Sequence, residues 1–301
     1  MKTCILCFSQ SGNTRKVADE IKAGIEKSSG SCDLLDLTAT GPEAVAAYDL
    51  VGLGCPVFYY KEPFNVTDAI AALPSCKGKA AFVFITHGAT PGMALERLWR
   101  QMAGKGFAVV GGLHTYADAS LPFYPHPTLT TGHPDEADLR EAREFGEKTA
   151  ELARRVLAGE KGLLPEPPAS LPGWWQEEAA MLSQEFLGKV LPRLSIDPER
   201  CIACGTCADA CPVSGVDPLA EPPRLQDPCV FCFNCVKACP EAAIVADWSG
   251  LVAMAPQSYA RYRKALEEAE ARGEFRWLMD PDSLNLDDPL YLQKQRELKG
   301  K

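Results

Sequence analysis

"TCILCFSQSGNT", residues 3–14, joins two kinds of local signal in one stretch. Residues 3–9 form a short apolar run of strand-like composition. The polar segment Ser9, Gln10, Ser11, Gly12, Asn13 and Thr14 then leads directly into "NTRKVADEIKAGIEKS" (13–28), which has the pattern of a helix. The same alternation continues down the chain. Further strands are expected at 31–37, 48–55, 79–86 and 107–115, and further helices at 62–73, 92–105 and 134–159. The last helix places Leu139, Ala142, Phe145, Ala150, Leu152 and Val156 near one apolar stripe. Strands that read as continuous apolar runs between helices imply a parallel sheet covered on both faces, an α/β doubly wound five-stranded architecture.

A length of 301 residues allows about two domains. Hydrophobic content of 46% and charged content of 24% are ordinary for a soluble globular chain. The net charge of -9 argues against a nucleic-acid or anionic-membrane partner and suits one with a basic docking face. No apolar run reaches the ~18 residues of a membrane span. The N-terminus reads as a first strand rather than a signal peptide, so a cytoplasmic location is expected. In that setting 13 cysteines point to metal before disulfides. Cys4 and Cys7 lie three apart in a strand and therefore on opposite faces, which makes them core thiols; Cys32 and Cys76 read the same way.

Open parallel sheets bind ligands outside the carboxyl ends of their strands. Three loops fall there. In 9–14, the hydroxyls of Ser9, Ser11 and Thr14, with Gly12 and Asn13 at a helix N-terminus, make an anion cradle; a merely well-capped helix is the equal alternative. The lysine-bearing G-x4-G-K-S/T loop is missing, which argues against a nucleoside triphosphate. The second loop, "GCPVFYYKEP" (54–63), follows strand 3, and the third, "THGATPG" (86–92), follows strand 4.

The remaining chemistry lies in "CIACGTCADACP" (201–212) and "CVFCFNCVKACP" (229–240), both C-x2-C-x2-C-x3-C-P, with each cysteine of the second 28 residues after its counterpart. Three close thiolates grip three corners of an iron–sulfur cubane, and the fourth, before proline, reaches the other cluster. One cluster would take Cys201, Cys204, Cys207 and Cys239, and the other Cys229, Cys232, Cys235 and Cys211. Zinc also uses CxxC pairs but seldom a third cysteine at this spacing followed by Cys-Pro.

Residues 195–247 resemble the two-cluster 4Fe–4S ferredoxins of bacterial type, small α+β electron carriers. The loop S-x-S-G-N-T after the first strand resembles the FMN phosphate loop of flavodoxins. That resemblance implies FMN, with its phosphate on Ser9, Gln10, Ser11, Gly12, Asn13 and Thr14. The ring would lie between Pro56, Val57, Phe58 and Tyr59 of one loop and Thr86, His87, Gly88 and Gly92 of the other. Tyr59 is the preferred stacking residue, with Phe58 and Tyr60 as other candidates; aromatic cover of a core edge is the competing reading. The third loop lacks the tyrosine and acidic residues of short-chain flavodoxins, so their very low potential is not implied. His87 is a candidate for a hydrogen bond to the ring or for a backbone partner, and His114, His126 and His133 carry no assigned role.

As a whole the chain resembles the flavodoxin–ferredoxin fusion flavoproteins. The expected parts are a flavodoxin-like domain (1–158), a Pro- and Gly-rich linker and docking segment (159–194), a two-cluster ferredoxin domain (195–250) and a helical, partly mobile tail (251–301). Trp174, Trp175, Leu182 and Phe186 are the expected docking residues, and 258–272 the tail's helix. The resemblance implies an electron-transfer flavoprotein linking a low-potential protein donor, through two 4Fe–4S clusters and FMN, to a protein or small-molecule acceptor. A nicotinamide-dependent flavin or quinone oxidoreductase and a dedicated redox subunit of one larger enzyme are the alternatives. No catalytic acid–base pair stands out, and the oligomeric state is left open.

Overall fold

A computed structural model describes residues 1–119, 121–169 and 173–299, with side chains for all of these except 173–175. Five strands, β1 (Thr3–Cys7), β2 (Cys32–Asp36), β3 (Leu50–Pro56), β4 (Ala80–His87) and β5 (Ala108–Tyr116), form one sheet in the order β2-β1-β3-β4-β5. Every neighbouring pair is parallel. This is the flavodoxin-type doubly wound order, with its switch point between β1 and β3.

Each face of the sheet carries its own core. Helices α1 (Asn13–Ser29) and α4 (Glu136–Leu157) bury Val17, Ile21, Ala142 and Ala150 against Ile5, Cys7, Phe82 and Phe84. Helices α2 (Phe64–Ala72) and α3 (Ala94–Gly104) bury Val66, Ile70, Leu98 and Met102 against Cys4, Leu6, Val51 and Leu53 on the other. Cys4 and Cys7 therefore do face opposite ways, and burial pushes both thiols up to about 12. Helices α1 and α4 approach backbone to backbone. A Cβ on Gly24 would sit 2.0 Å from the Arg143 carbonyl oxygen, and one on Gly146 would sit 2.2 Å from that of Ile21. Helix α4 starts on a capping box in which Asp135 accepts from the Ala137 and Asp138 amides.

The chain divides into two compact units, Met1–Ala117 with His133–Leu182, and Asp118–Gly132 with Ser183–Lys301. These boundaries differ from the sequence expectation of one uninterrupted domain over 1–158. The segment 118–132, which follows β5, belongs to the second unit because its aromatic residues find their core there. Phe123 is buried against Phe233 and Trp248, with ring centroids 5.8 and 5.7 Å away, and Tyr124 meets Tyr259 edge-on at 5.1 Å.

Helix α5 (Gly173–Met181) closes the first unit. The second is built from short pieces and one long helix: α6 (Gln184–Val190), β6 (Ser195–Ile196), α7 (Thr206–Asp209), β7 (Val216–Asp217), β8 (Arg224–Leu225), α8 (Asn234–Ala238), β9 (Ile244–Val245), the 23-residue α9 (Ser249–Ala271) and α10 (Leu290–Lys299). β6 pairs antiparallel with β9, and β7 with β8. The tail expected to be partly mobile is packed. The Leu290 and Tyr291 amides donate to the Tyr124 and Pro122 carbonyls at 2.8 and 2.9 Å, and Lys294 caps the end of α8 through the Val236 and Lys237 carbonyls. Helix α9 begins at Ser249 rather than 258. It contains Pro256, which suggests a break in sequence, yet Leu251 and Val252 ahead of it pack on the core and Ala255 is fully buried. Trp174 and Trp175 lie outside the described side chains.

Candidate functional site

The carboxyl ends of β1, β3 and β4 bring the three loops together. Gly12, at φ 95°, is the residue before α1, and a Cβ built on it meets nothing within 4 Å, so the loop faces open space. The Ser9 hydroxyl accepts from the Arg15 amide at 3.2 Å. Arg15 itself points to Asp19 at 3.5 Å, so no cation is held in the loop. Thr14 and Thr86 are both buried, with hydroxyl oxygens 2.7 Å apart, which ties the first loop to the third. Gln10 is half-buried and Ser11 exposed. A helix N-terminus with hydroxyls and free space in front suits a phosphate monoester without a lysine or arginine.

In the second loop, the Val57 amide donates to the Thr86 carbonyl at 2.9 Å. Phe58 and Lys61 exchange backbone hydrogen bonds at 2.9 and 3.0 Å around a two-residue turn. That turn holds Tyr59 at φ 51° and Tyr60 at φ 65°. Two-residue hairpins of this hand favour Asn-Gly, and side chains in such conformations cost roughly 1–3 kcal/mol each. Two anchors hold it. The Met93 amide donates to the Tyr60 carbonyl at 2.7 Å beside Gly92, where a Cβ would lie 2.3 Å from the same oxygen. Two residues beyond Tyr60, Glu62 is buried and accepts from Arg97 at 2.8 and 2.9 Å, from Gln101 at 2.7 Å and from Thr67 at 3.0 Å. Arg97 and Gln101, four apart on α3, were the sequence signal for this network, unread because Glu62 lies 35 residues away from Arg97. In the first turn of α2, Asn65 has both amide atoms buried without a partner, a cost of about 1–3 kcal/mol that fits a site completed by a ligand.

Two of the residues expected at the ring have partners of their own within the protein. Val57 and Phe58 pack on the core cluster, with Phe58 edge-on to Phe8 at 6.3 Å, so Phe58 covers a core edge. Tyr59 and Tyr60 sit half-buried at the tip instead. His87 is buried and has both ring nitrogens engaged within the protein, Nδ1 with the Gly88 carbonyl at 2.8 Å and Nε2 with Nδ1 of His114 at 3.0 Å. Donation from Nδ1 to the carbonyl makes Nε2 the acceptor from His114. Burial and then His114 hold His87 well below the usual histidine range, so it stays neutral and braces the end of β4. Pro56 and Thr86 are register partners at the ends of β3 and β4, where they carry the loops.

In the second unit, Cys201, Cys204, Cys207 and Cys239 line one small surface pocket with Ile196 and Glu241. Cys239 comes from the second comb, as the crossed pairing requires. The other four also gather. The Cys235 thiol is pushed up to about 12 by burial and then by Cys232, Cys229 and Cys211, and Cys232 up to about 11 by burial, in company with Cys229 and Cys211. Buried thiols that oppose one another's ionisation fit a cationic guest that stabilises all of them as thiolates. Every cysteine of the chain is free of disulfide.

The backbone repeats along with the ligands. Left-handed residues recur in pairs 28 apart: Ala203 (φ 53°) with Phe231 (φ 53°), Gly205 (φ 76°) with Phe233 (φ 54°), and Ser214 (φ 55°) with Ala242 (φ 47°). Such conformations are uncommon outside glycine, and here they turn amides inward. Gly215 donates to Cys211 Sγ at 3.1 Å and Ala243 to Cys239 Sγ at 3.2 Å, again 28 apart. Phe231 donates to Cys229 Sγ at 3.4 Å. The Thr206 hydroxyl lies 3.3 Å from Cys204 Sγ and lowers that thiol below its ordinary range.

Comparison with known proteins agrees with this division. Residues 194–215 match the family described as 4Fe-4S binding domain. An uncharacterized protein of Methanocaldococcus jannaschii, MJ0298, is 30% identical over 156 residues, covering 48% of this chain and 95% of that protein. The chain and that archaeal protein belong to one family. A flavodoxin of Megasphaera elsdenii is 28% identical over 114 residues, covering 36% of this chain and 80% of its own. Among solved structures, a flavodoxin from the domain Archaea is 21% identical with a TM-score of 0.41, covering 51% of this chain and 99% of that one. Sheet order and cysteine sites thus define the class, an electron-transfer protein that joins a flavodoxin-like unit to a 4Fe–4S binding domain. No described helix is long and apolar enough to cross a membrane.

Proposed function

We propose that this chain carries FMN in its first unit and two 4Fe–4S clusters in its second, and that it passes electrons between a low-potential redox protein and an acceptor. The observation that carries the reading is the crossed gathering of cysteines, with Cys239 beside Cys201, Cys204 and Cys207 in one cavity and Cys211 beside Cys229, Cys232 and Cys235. When bound, the flavin exchanges one or two electrons and each cluster one, so together they gather or divide electron pairs. The chain's own residues hold and tune these groups. Gly12 and the α1 N-terminus receive the phosphate, with Ser9, Gln10, Ser11, Asn13 and Thr14 around it. The Tyr59–Tyr60 turn and the backbone of 86–92 bound the ring site, with Tyr59 as the stacking residue. Gly215 and Ala243 amides and the Thr206 hydroxyl stabilise negative charge on sulfur.

The test is an anaerobic preparation assayed for flavin, iron and acid-labile sulfide, followed by titration with NADPH or NADH and then with a reduced ferredoxin. One flavin and eight irons per chain, with bleaching by reduced ferredoxin alone, is the expected result. Rapid bleaching by a nicotinamide would replace the carrier reading with a hydride-accepting oxidoreductase. Four irons would remove one of the two clusters.

A further inference from the structure

The cysteine loops 201–207 and 229–235 share one backbone but not one environment. Ile202 is 63% exposed, whereas its repeat partner Val230 is 3% exposed. Ala203 and Cys204 are exposed, and Phe231 and Cys232 are half-buried. Helix α6 helps to cover the second loop. Gln184 Nε2 donates to the Cys229 carbonyl at 2.9 Å, and a Cβ on Gly188 would lie 3.7 Å from the Phe231 ring. Nothing among the described residues does the same for Ile202, so one of the two sulfur sites opens to solvent through its own ligand, Cys204.

We propose that the face formed by Ile202, Ala203, Cys204 and Pro240 is the docking surface for a separate redox protein that presents an apolar patch with a basic rim. The proposal rests on the reading above that these cysteines hold a cluster. Electron transfer falls steeply with distance, so an external protein exchanges electrons where a ligand sulfur reaches the surface. Exposed Ile202 beside that sulfur, with Ala203 and Pro240, offers the apolar centre of a transient contact. Charge selects the kind of partner. Glu241 lines the same cavity and acts electrostatically on Cys204, Arg200 on the same loop is taken by Asp197 at 3.2 Å, and the chain as a whole carries -9. Such a face attracts a basic partner and repels an acidic one.

The probe is a basic c-type cytochrome, used with the full chain and its cofactors in place. Oxidised cytochrome is titrated calorimetrically at low ionic strength. Protein reduced with dithionite and then desalted is also mixed with it, each encounter moving one electron from the protein to ferric haem, which becomes ferrous. Ile202→Lys is expected to weaken binding and slow haem reduction by about tenfold or more, and raised salt to weaken both in the unaltered protein. Met254→Lys places the same charge on another exposed side chain, 58% accessible, and is expected to stay within about twofold. Iron, sulfide and flavin contents should be equal in all three proteins. Equal effects of the two substitutions, or none from Ile202→Lys, would overturn the docking surface while leaving the cluster reading intact. An equal slowing with a neutral small quinone would make the face a small-molecule port instead. A protein without iron would overturn both.

Discussion

The two units solve the problem of a core by different means. In the first, strands of five to nine residues are sandwiched between long helices, and all five residues of β1 are buried. In the second, strands are two residues long, α7 and α8 have four and five residues, and the core is aromatic rings and cysteines drawn from separated segments. A sheet between helices has a core of its own; short pieces arranged around thiols need their guest. On the proposed reading, binding energy and folding energy in the second unit are largely the same quantity.

The most severe way to strain this comparison is to remove iron. Chelation under reducing conditions is expected to unfold the second unit, seen as lost protection in hydrogen exchange over 195–247, while β1 to β5 remain protected. Loss of protection in both would show that the first core does not stand alone. Next comes Phe123→Ala. Although residue 123 precedes α4, its ring lies in the second unit's core, so the expected cost is ~3–5 kcal/mol in cluster retention and unfolding of that unit. An effect confined to flavin binding would reverse the assignment. Gly92→Ala acts on the first unit alone. Its Cβ must displace the Tyr60 carbonyl, and flavin affinity should drop about tenfold or more with the sheet's stability nearly unchanged.

A smaller effect concerns pH. His87 is held well below its unfolded value near 6.5, so below that pH the unfolded chain takes a proton that the native one refuses. Stability of the first unit should be flat above about pH 6.5 and decline as pH falls, and His87→Gln should flatten the decline. A stability that rises on acidification would contradict the neutral, buried ring. The least disruptive test uses thiol labelling of iron-free protein at pH 8. The eight cysteines of the second unit should react as that unit unfolds, and Cys4 and Cys7, buried in the sheet and raised to about 12, should not react before the first unit unfolds.

Much of this was legible along the chain. The strand and helix alternation placed β1 to β5 within a residue or two, because strands buried on both faces carry an apolar signal at every position. The cysteine spacing singled out the eight thiols that gather in the second unit for a similar reason, since three of each four lie within one short loop. What escaped was long in sequence and short in space. Glu62 with Arg97, His87 with His114, and Phe123 with Phe233 are each a single pair joined across loops or elements, with no periodicity to announce it. Helix α9 escaped because Pro256 argues locally for a break and the packing of Leu251 and Val252 outweighs it.

By itself, then, the sequence determined the doubly wound sheet, the position of the Ser9–Thr14 loop at its switch point, and which eight thiols gather, because each depends on local pattern or fixed spacing. The tertiary structure alone decided that 118–132 belongs with the second unit, that the tail packs there, that His87 is spent inside the protein, and that of two loops with the same cysteine spacing Ile202 faces water while Val230 does not. Burial and pairing of this kind are properties of what lies nearby in space, and the repeated cysteine spacing carries no information about the cover of each loop.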